Sequence, residues 1–434
     1  MNKILLSILI LLFINNCSFN KNSNLWSSND KDYPLENKKN IKKVFDQKKN
    51  ITTELNEKLK INLKDIKFNN DIVDNKNNYG SFDYQGLFLK NNKYKFSKLI
   101  NTNELNFKPI FLDEGIIFFE KKGNIIKYNN NKKHSWKKNY YSKVEKKMQP
   151  KLHFAIKNDT LLVADNIAKY YSININDGKL NWSKNNRYPF NSEIKIFKDK
   201  FFVVDYKNTL RCYNISDGLE CWNLQTENSF TVSNSKHSII LVNGMVIFNN
   251  SIGDITAADI KTGSIIWQLP TQNSNVVNEA YSFKTSKLVS DGNSIFFSNN
   301  KNEFYSIDAK TGTLNWVNKI NSNLTPIIIN DFIFTVTNNG YLFTVQKKTG
   351  NIIRINDLYK DYKTKEKIDI KTIGFSIGLA KMYLTNNNGK LIVIDLISGN
   401  ILDIKKISRK IISKPFIFNK NLYIIENGSI IQYN

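Results

Sequence analysis

Three cysteines and three histidines are the side chains of this 434-residue sequence best suited to redox or metal chemistry. Their spacing decides which of it is open to them. Cys212 and Cys221 flank a turn, Ile215 to Gly218. A four-residue hairpin turn there would set the two thiols directly opposite one another. A disulfide formed in an oxidising compartment and two independent structural thiols are both open. His134, His153 and His237 lie in different units of the repeat described next, so no metal site is expected from them. No nucleophile elbow, HExxH pair, P-loop or GxGxxG run occurs. The chemistry-bearing residues announce no enzyme.

The elements that position them come from a recurring phrase: an aliphatic strand, a turn ending in Gly, then an aromatic four residues on. Clear copies are Gly178 with Trp182, Gly218 with Trp222, Gly263 with Trp267 and Gly312 with Trp316. Two worn copies follow, Gly350 with Arg354 in the aromatic slot and Gly399 with Asp403, and an earlier one keeps Trp136 without its Gly. Successive copies lie 38 to 49 residues apart, the period of a propeller or solenoid. Within one copy, Ser294 to Ser298, Glu303 to Asp308 and Thr313 to Val317 are short β-branched and aromatic runs separated by Asn and Gly turns. They read as antiparallel strands, and a weaker opening strand, Phe283 to Val289, makes four. Four strands per unit is one blade of an all-β propeller. No window sustains a helical period.

The residue six before each Gly is small or β-branched (Ser172, Cys212, Ala257, Ser306, Thr344, Val393). Four before it stands Asp or a relative, suited to bonding turn amides. Trp136, Trp182, Trp222, Trp267 and Trp316 are expected as packing wedges between blades, because a wedge explains why the residue recurs where a cofactor-stacking floor would not. After the seventh copy, Ile411 to Ile417, Leu422 to Glu426 and Ser429 to Tyr433 supply three strands of an eighth blade. The stretch Tyr84 to Phe96 is expected to supply the fourth and close the ring, leaving no open edge. Seven blades is the runner-up.

The string Ser306-Ile307-Asp308-Ala309-Lys310-Thr311-Gly312-Thr313-Leu314-Asn315-Trp316 resembles the PQQ-like β-propeller repeat, and the resemblance runs from about Phe107 to the C-terminus. Two families dominate that group: the quinoprotein alcohol dehydrogenases, and BamB, the lipoprotein of the outer-membrane β-barrel assembly machinery. The resemblance to BamB implies eight blades. It also implies a non-enzymatic scaffold with no cofactor, which binds the periplasmic domains of the outer-membrane barrel assembly protein and helps outer-membrane proteins fold and insert. The alternative is a PQQ-dependent dehydrogenase or a degenerate relative of one. Such enzymes need a calcium site, a base carboxylate and an aromatic cofactor floor. They usually carry adjacent cysteines, which this chain lacks.

Lys3, the apolar run Ile4 to Ile14 and then Asn15-Asn16-Cys17 read as a secretory signal over residues 1–16, too short to span a bilayer. Ile14-Asn15-Asn16-Cys17 resembles a bacterial lipobox, although Asn16 stands where a small residue is usual. Cys17 is therefore the expected lipid attachment site, and Ser18 after it suggests the periplasmic face of the outer membrane. Residues 17–78 are rich in Asn and Lys without a sustained apolar period, and read as a disordered tether to a propeller over 79–434. Val44 to Ile66 carries a weak amphipathic helical pattern.

The net charge is +25. It is either attraction to an anionic surface or the compositional drift of an Asn-, Lys- and Ile-rich chain, with drift the stronger reading. Neither nucleic acid nor a small-molecule substrate is expected for an exported scaffold. Docking should fall to connections on the ring's faces. Tyr281 and Phe283, in one of the longest connections, are the expected partner-binding residues.

Overall fold

In the computed structural model, residues 61–63, 79–84, 86–97, 107–226, 236–271, 283–426 and 428–434 are described. Among them the strands form eight four-stranded antiparallel sheets, each a meander in chain order except the last. Blades 1 to 7 occupy residues 110–138, 152–185, 195–225, 239–269, 289–318, 327–357 and 372–406. Blade 8 joins Phe416–Phe418, Asn421–Glu426 and Ser429–Tyr433 to Lys90–Lys95, which pairs antiparallel with Ser429–Tyr433. The chain is an eight-bladed β-propeller, closed by an N-terminal strand on the C-terminal blade. That strand is the C-terminal half of the stretch Tyr84 to Phe96. Asn434 and Leu89 continue the closure by exchanging two backbone hydrogen bonds, of 3.0 and 3.2 Å.

The turn phrase has a uniform geometry. Gly312 adopts φ +74°, and its amide donates to the Asp308 carbonyl at 2.9 Å. The Asp308 carboxylate accepts from the Lys310 and Thr311 amides and the Thr311 hydroxyl at 2.8–2.9 Å. The Asp259 turn repeats these contacts. A side chain that satisfies three donors of its own turn fixes where the third strand of a blade ends and the fourth begins.

One residue into that fourth strand the ladder slips. In blade 5, Ile307 faces Leu314 but Ser306 faces Trp316, so Asn315 is the extra residue of a β-bulge. The same slip places Ser172 opposite Trp182, Cys212 opposite Trp222, Ala257 opposite Trp267 and Thr344 opposite Arg354. The small residue six before the Gly is thus the cross-strand neighbour of the aromatic, and its size is set by the ring beside it. The indole in turn covers the turn Gly of the next blade. A Cβ on Gly178, Gly218, Gly263, Gly312 or Gly350 would meet Trp136, Trp182, Trp222, Trp267 or Trp316 respectively. Four of these indoles also donate to a carbonyl three residues before that Gly: Trp136 to Ile175 and Trp182 to Ile215 at 2.9 Å, Trp267 to Ala309 at 3.2 Å, and Trp316 to Lys347 at 3.0 Å.

Arg354 does the same by other means. Its guanidinium donates to the Leu396 carbonyl at 2.6 Å and to the Ile397 carbonyl, on the turn leading to Gly399. A planar fork of donors can reach two carbonyls where an indole reaches one.

The core lies between blades. One cluster joins Phe118, Tyr128 and Trp136 of blade 1 to Leu161, Tyr171 and Ile173 of blade 2 and to Phe416 and Tyr423 of blade 8. Leu63 is also buried, in a cluster with Ile327 and Ile329 of blade 6 and Ile377 of blade 7. Ile61 packs against the same cluster, so the short described stretch 61–63 of the expected tether over 17–78 is seated on the ring. The tether residues other than 61–63, the signal segment with Cys17, and most of the weak helical pattern lie outside the described residues.

Candidate functional site

Cys212 and Cys221 are two separate thiols, not a disulfide. The reason is the bulge. Counting from the turn sets position 212 against 221, but the slip gives Cys212 to Trp222 and makes Cys221 the extra residue. Cys212 is buried beside Phe202 and Phe248, while Cys221 donates its thiol to Asn214 Oδ1 at 3.2 Å. Burial, then hydrogen bonding with Cys221, pushes the Cys212 thiol far above its ordinary range, which makes it a poor nucleophile.

Phe283 is not on a surface. It is 2% exposed, and its ring is the nearest group a Cβ on Gly253 would meet. It folds back onto blade 4, so the expectation that it meets a partner is corrected. An aromatic flanked by polar residues in a long connection looks the same in sequence whether it covers a neighbouring blade or waits for a partner. Tyr281 lies outside the described residues. His153 and His237 are buried and His134 is exposed, and burial pulls the His237 imidazole down to about 4, so it is neutral near pH 7. Among the described residues no group of three or more His, Cys, Asp or Glu side chains could hold a metal ion.

A concave feature that sequence reasoning did not find lies where the first hairpins of blades 3 and 4 meet. It is a groove of about 430 Å³ lined by Ile196, Phe197, Lys198, Val242, Met245 and Lys157. The blade 3 hairpin turns through one residue with positive φ, Lys198 at +51°, and the blade 4 hairpin through two, Asn243 at +49° and Gly244 at +78°. The turn aims Phe197 outward. It is 36% exposed, with the Lys198 ammonium 5.6 Å from its ring centroid. Lys157 closes one side by donating to the Lys198 carbonyl. The groove offers an apolar floor beside the ammonium groups of Lys157 and Lys198. The signal for it in the sequence is only that the hairpin Phe197-Lys198-Asp199-Lys200 puts an aromatic next to its turn.

Residues 121–356 match the family model described as outer membrane protein assembly factor BamB. The protein of that name from Shewanella oneidensis is 27% identical over 151 residues, 33% of this chain and 32% of the relative, so the match spans about a third of that protein's length. Among solved structures, BamB from Moraxella catarrhalis superposes with a TM-score of 0.63 at 15% identity, covering 80% of this chain and 99% of that one. A quinohemoprotein alcohol dehydrogenase from Pseudomonas putida superposes at 0.59 with 9% identity, covering 82% and 78%. At such identities the two superpositions speak for the fold alone. The family model spans more than half of the sequence and ends in the fourth strand of blade 6, and on that match the chain belongs to the outer membrane protein assembly factor BamB family.

Proposed function

We propose that this chain is a non-enzymatic scaffold of the outer-membrane β-barrel assembly machinery. In this reading it is held by a lipid on Cys17 at the periplasmic face of the outer membrane. It binds the periplasmic domains of the barrel assembly protein and so assists outer-membrane proteins in folding and inserting. The observation that carries this reading is the family match over 121–356 on an eight-bladed ring. The groove between blades 3 and 4 supports it, because an exposed aromatic flanked by two lysines, Lys157 and Lys198, suits protein contact. The competing reading, a PQQ-dependent dehydrogenase, has the shared fold in its favour and lacks a gathered set of metal-binding side chains among the described residues.

The test is capture from crosslinked envelopes. The tagged full-length protein should bring down the barrel assembly protein, Phe197→Asp should lose most of that capture without a lower melting temperature, and Cys17→Ser should leave the membrane fraction. Turnover of an alcohol by protein supplied with PQQ and calcium, with no assembly protein captured, would overturn the scaffold reading.

A further inference from the structure

The end of the ring at which the inner strands begin carries a second site, on the face away from the groove. Phe107 lies three residues before the inner strand of blade 1, and Lys236 three before that of blade 4. The Lys236 ammonium nevertheless sits 3.3 Å from the Phe107 ring centroid. Glu193 leads into blade 3 and Lys287 into blade 5, and their side chains form an ion pair. In a ring of eight, blades 1 and 4, or 3 and 5, are not neighbours. Side chains from them can touch only where the inner strands converge on the axis.

Five lysines gather there. Lys287, Lys195 and Lys108 all act on the Glu193 carboxylate, and Glu193, Lys287 and Lys151 act on Lys236. His153 stands among them, its ring 4.9 Å from Phe107, and burial keeps it neutral. Among the described residues, Lys108, Lys195, Lys236 and Lys287 thus act with the Glu193 carboxylate and Lys151 acts on Lys236, the five lysines coming from five different blades. Like charges held this close are mutually costly, and the cost shows at Lys236. Desolvation among the converging strands lowers its ammonium against the opposing pull of Glu193, with Lys287 and Lys151 adding to the fall, although the residue stays exposed at the mouth. At Glu193 the balance is reversed: burial would raise the carboxyl, and the lysines hold it well below the ordinary range.

We propose that this axial mouth binds a small multivalent oxyanion, a phosphate or a polycarboxylate, between Lys108, Lys195, Lys236 and Lys287. Such an anion accepts several charge-assisted hydrogen bonds at once, and each lysine supplies three donors on a flexible stem. Glu193 then acts as the built-in competitor, occupying Lys287 until an anion with more charge displaces it. The site does not depend on the scaffold reading, since it rests on the axial cluster and not on the groove or the lipid.

The test is calorimetric titration of the full-length protein at low ionic strength with pyrophosphate and, separately, with tricarballylate, alongside melting temperatures. One equivalent of at least one anion should bind and raise the melting temperature, and which anion does so identifies the class. Lys236→Gln should weaken binding about tenfold, the effect of one nearby charge. Glu193→Gln should tighten it, because the competitor is gone. Absence of saturable binding by either anion up to about 1 mM, or equal binding by the wild type and Lys236→Gln, overturns the proposal. If Glu193→Gln fails to fold, the Lys236→Gln comparison still decides.

Discussion

The contact between Trp267 and Gly312 offers a test of how the blades are held, through a pair of substitutions that should not add. Trp267 is 9% exposed and donates to the Ala309 carbonyl at 3.2 Å, while its ring covers Gly312. Trp267→Ala opens a cavity between blades 4 and 5 and should cost about 3–5 kcal/mol. Gly312→Ala carries two separate penalties. At φ +74° an alanine backbone is strained by about 1–2 kcal/mol. Its Cβ would also lie 2.6 Å from Cδ2 and Cε3 of Trp267, an overlap that forces the indole or the turn to move and adds about 1–3 kcal/mol. Only the second penalty needs the indole. In the Trp267→Ala background, Gly312→Ala should therefore cost only the backbone strain, and the double variant should be more stable than the sum of the singles by about 1–3 kcal/mol. Urea midpoints at unchanged slope give the four corners of the cycle. Additivity within about 0.5 kcal/mol would mean that the ring does not read the missing Cβ, and the account of the wedge would fall with it.

Asp165 supplies a pH test. Its carboxylate is fully buried, and it accepts from the Tyr141 hydroxyl at 2.6 Å and the Ile167 and Lys169 amides at 2.9 Å. Burial outweighs these bonds and pushes the group up to about 6. A folded-state pKa above the unfolded value of about 3.9 means that the group's contribution is full below about pH 4 and is lost as pH rises through 6, about 3 kcal/mol by pH 7. Asp165→Asn should flatten that decline in melting temperature between pH 4 and 7, and an unchanged decline would place its origin elsewhere. Arg354 tests the substitute wedge. Arg354→Ala should cost about 2–3 kcal/mol, because the buried Leu396 carbonyl and the half-buried Ile397 carbonyl lose their donor. Arg354→Trp should recover most of it, with the indole donating to the Leu396 carbonyl as Trp316 does to Lys347, and a variant no more stable than Ala would refute the equivalence.

What the sequence disclosed is what recurs. The Gly–Trp spacing marks each blade, and the three strands after the seventh turn call for a fourth from the N-terminus, which Lys90–Lys95 supplies. The misses share a cause, which is that no residue type announces them. The bulged position holds Asn181, Cys221, Ile266, Asn315, Ile353 and Leu402 in turn. Nothing in that series signals an extra residue, so counting across the hairpin set Cys212 against the wrong partner. Leu63 is one of several scattered aliphatics in an Asn- and Lys-rich stretch, and only its contact with Ile327 and Ile329 distinguishes it from tether. The axial lysines are scattered from 108 to 287, and they become a cluster only when the blades close into a circle.

The contacts that repeat from blade to blade are all spent on the ring itself. The turn carboxylates bond their own turns, the small residues make room for the indoles, and the indoles seal the next blade. A function specific to this chain must then lie where the repeat is broken, and two such breaks stand out. On the face bearing the first hairpins, Phe197 points outward from blade 3, whereas the equivalent Val242 of blade 4 and Ile329 of blade 6 are buried. At the other end of the axis, lysines enter ahead of the inner strands of blades 1 to 5, while blade 6 meets the chain's own N-terminal stretch, with Ile328 donating to the Tyr79 carbonyl at 2.8 Å. The symmetry that makes the ring stable thus leaves its two ends free to differ. On the readings proposed above, one takes a protein surface and the other an anion, and substitutions at either end should act without disturbing the wedges between the blades.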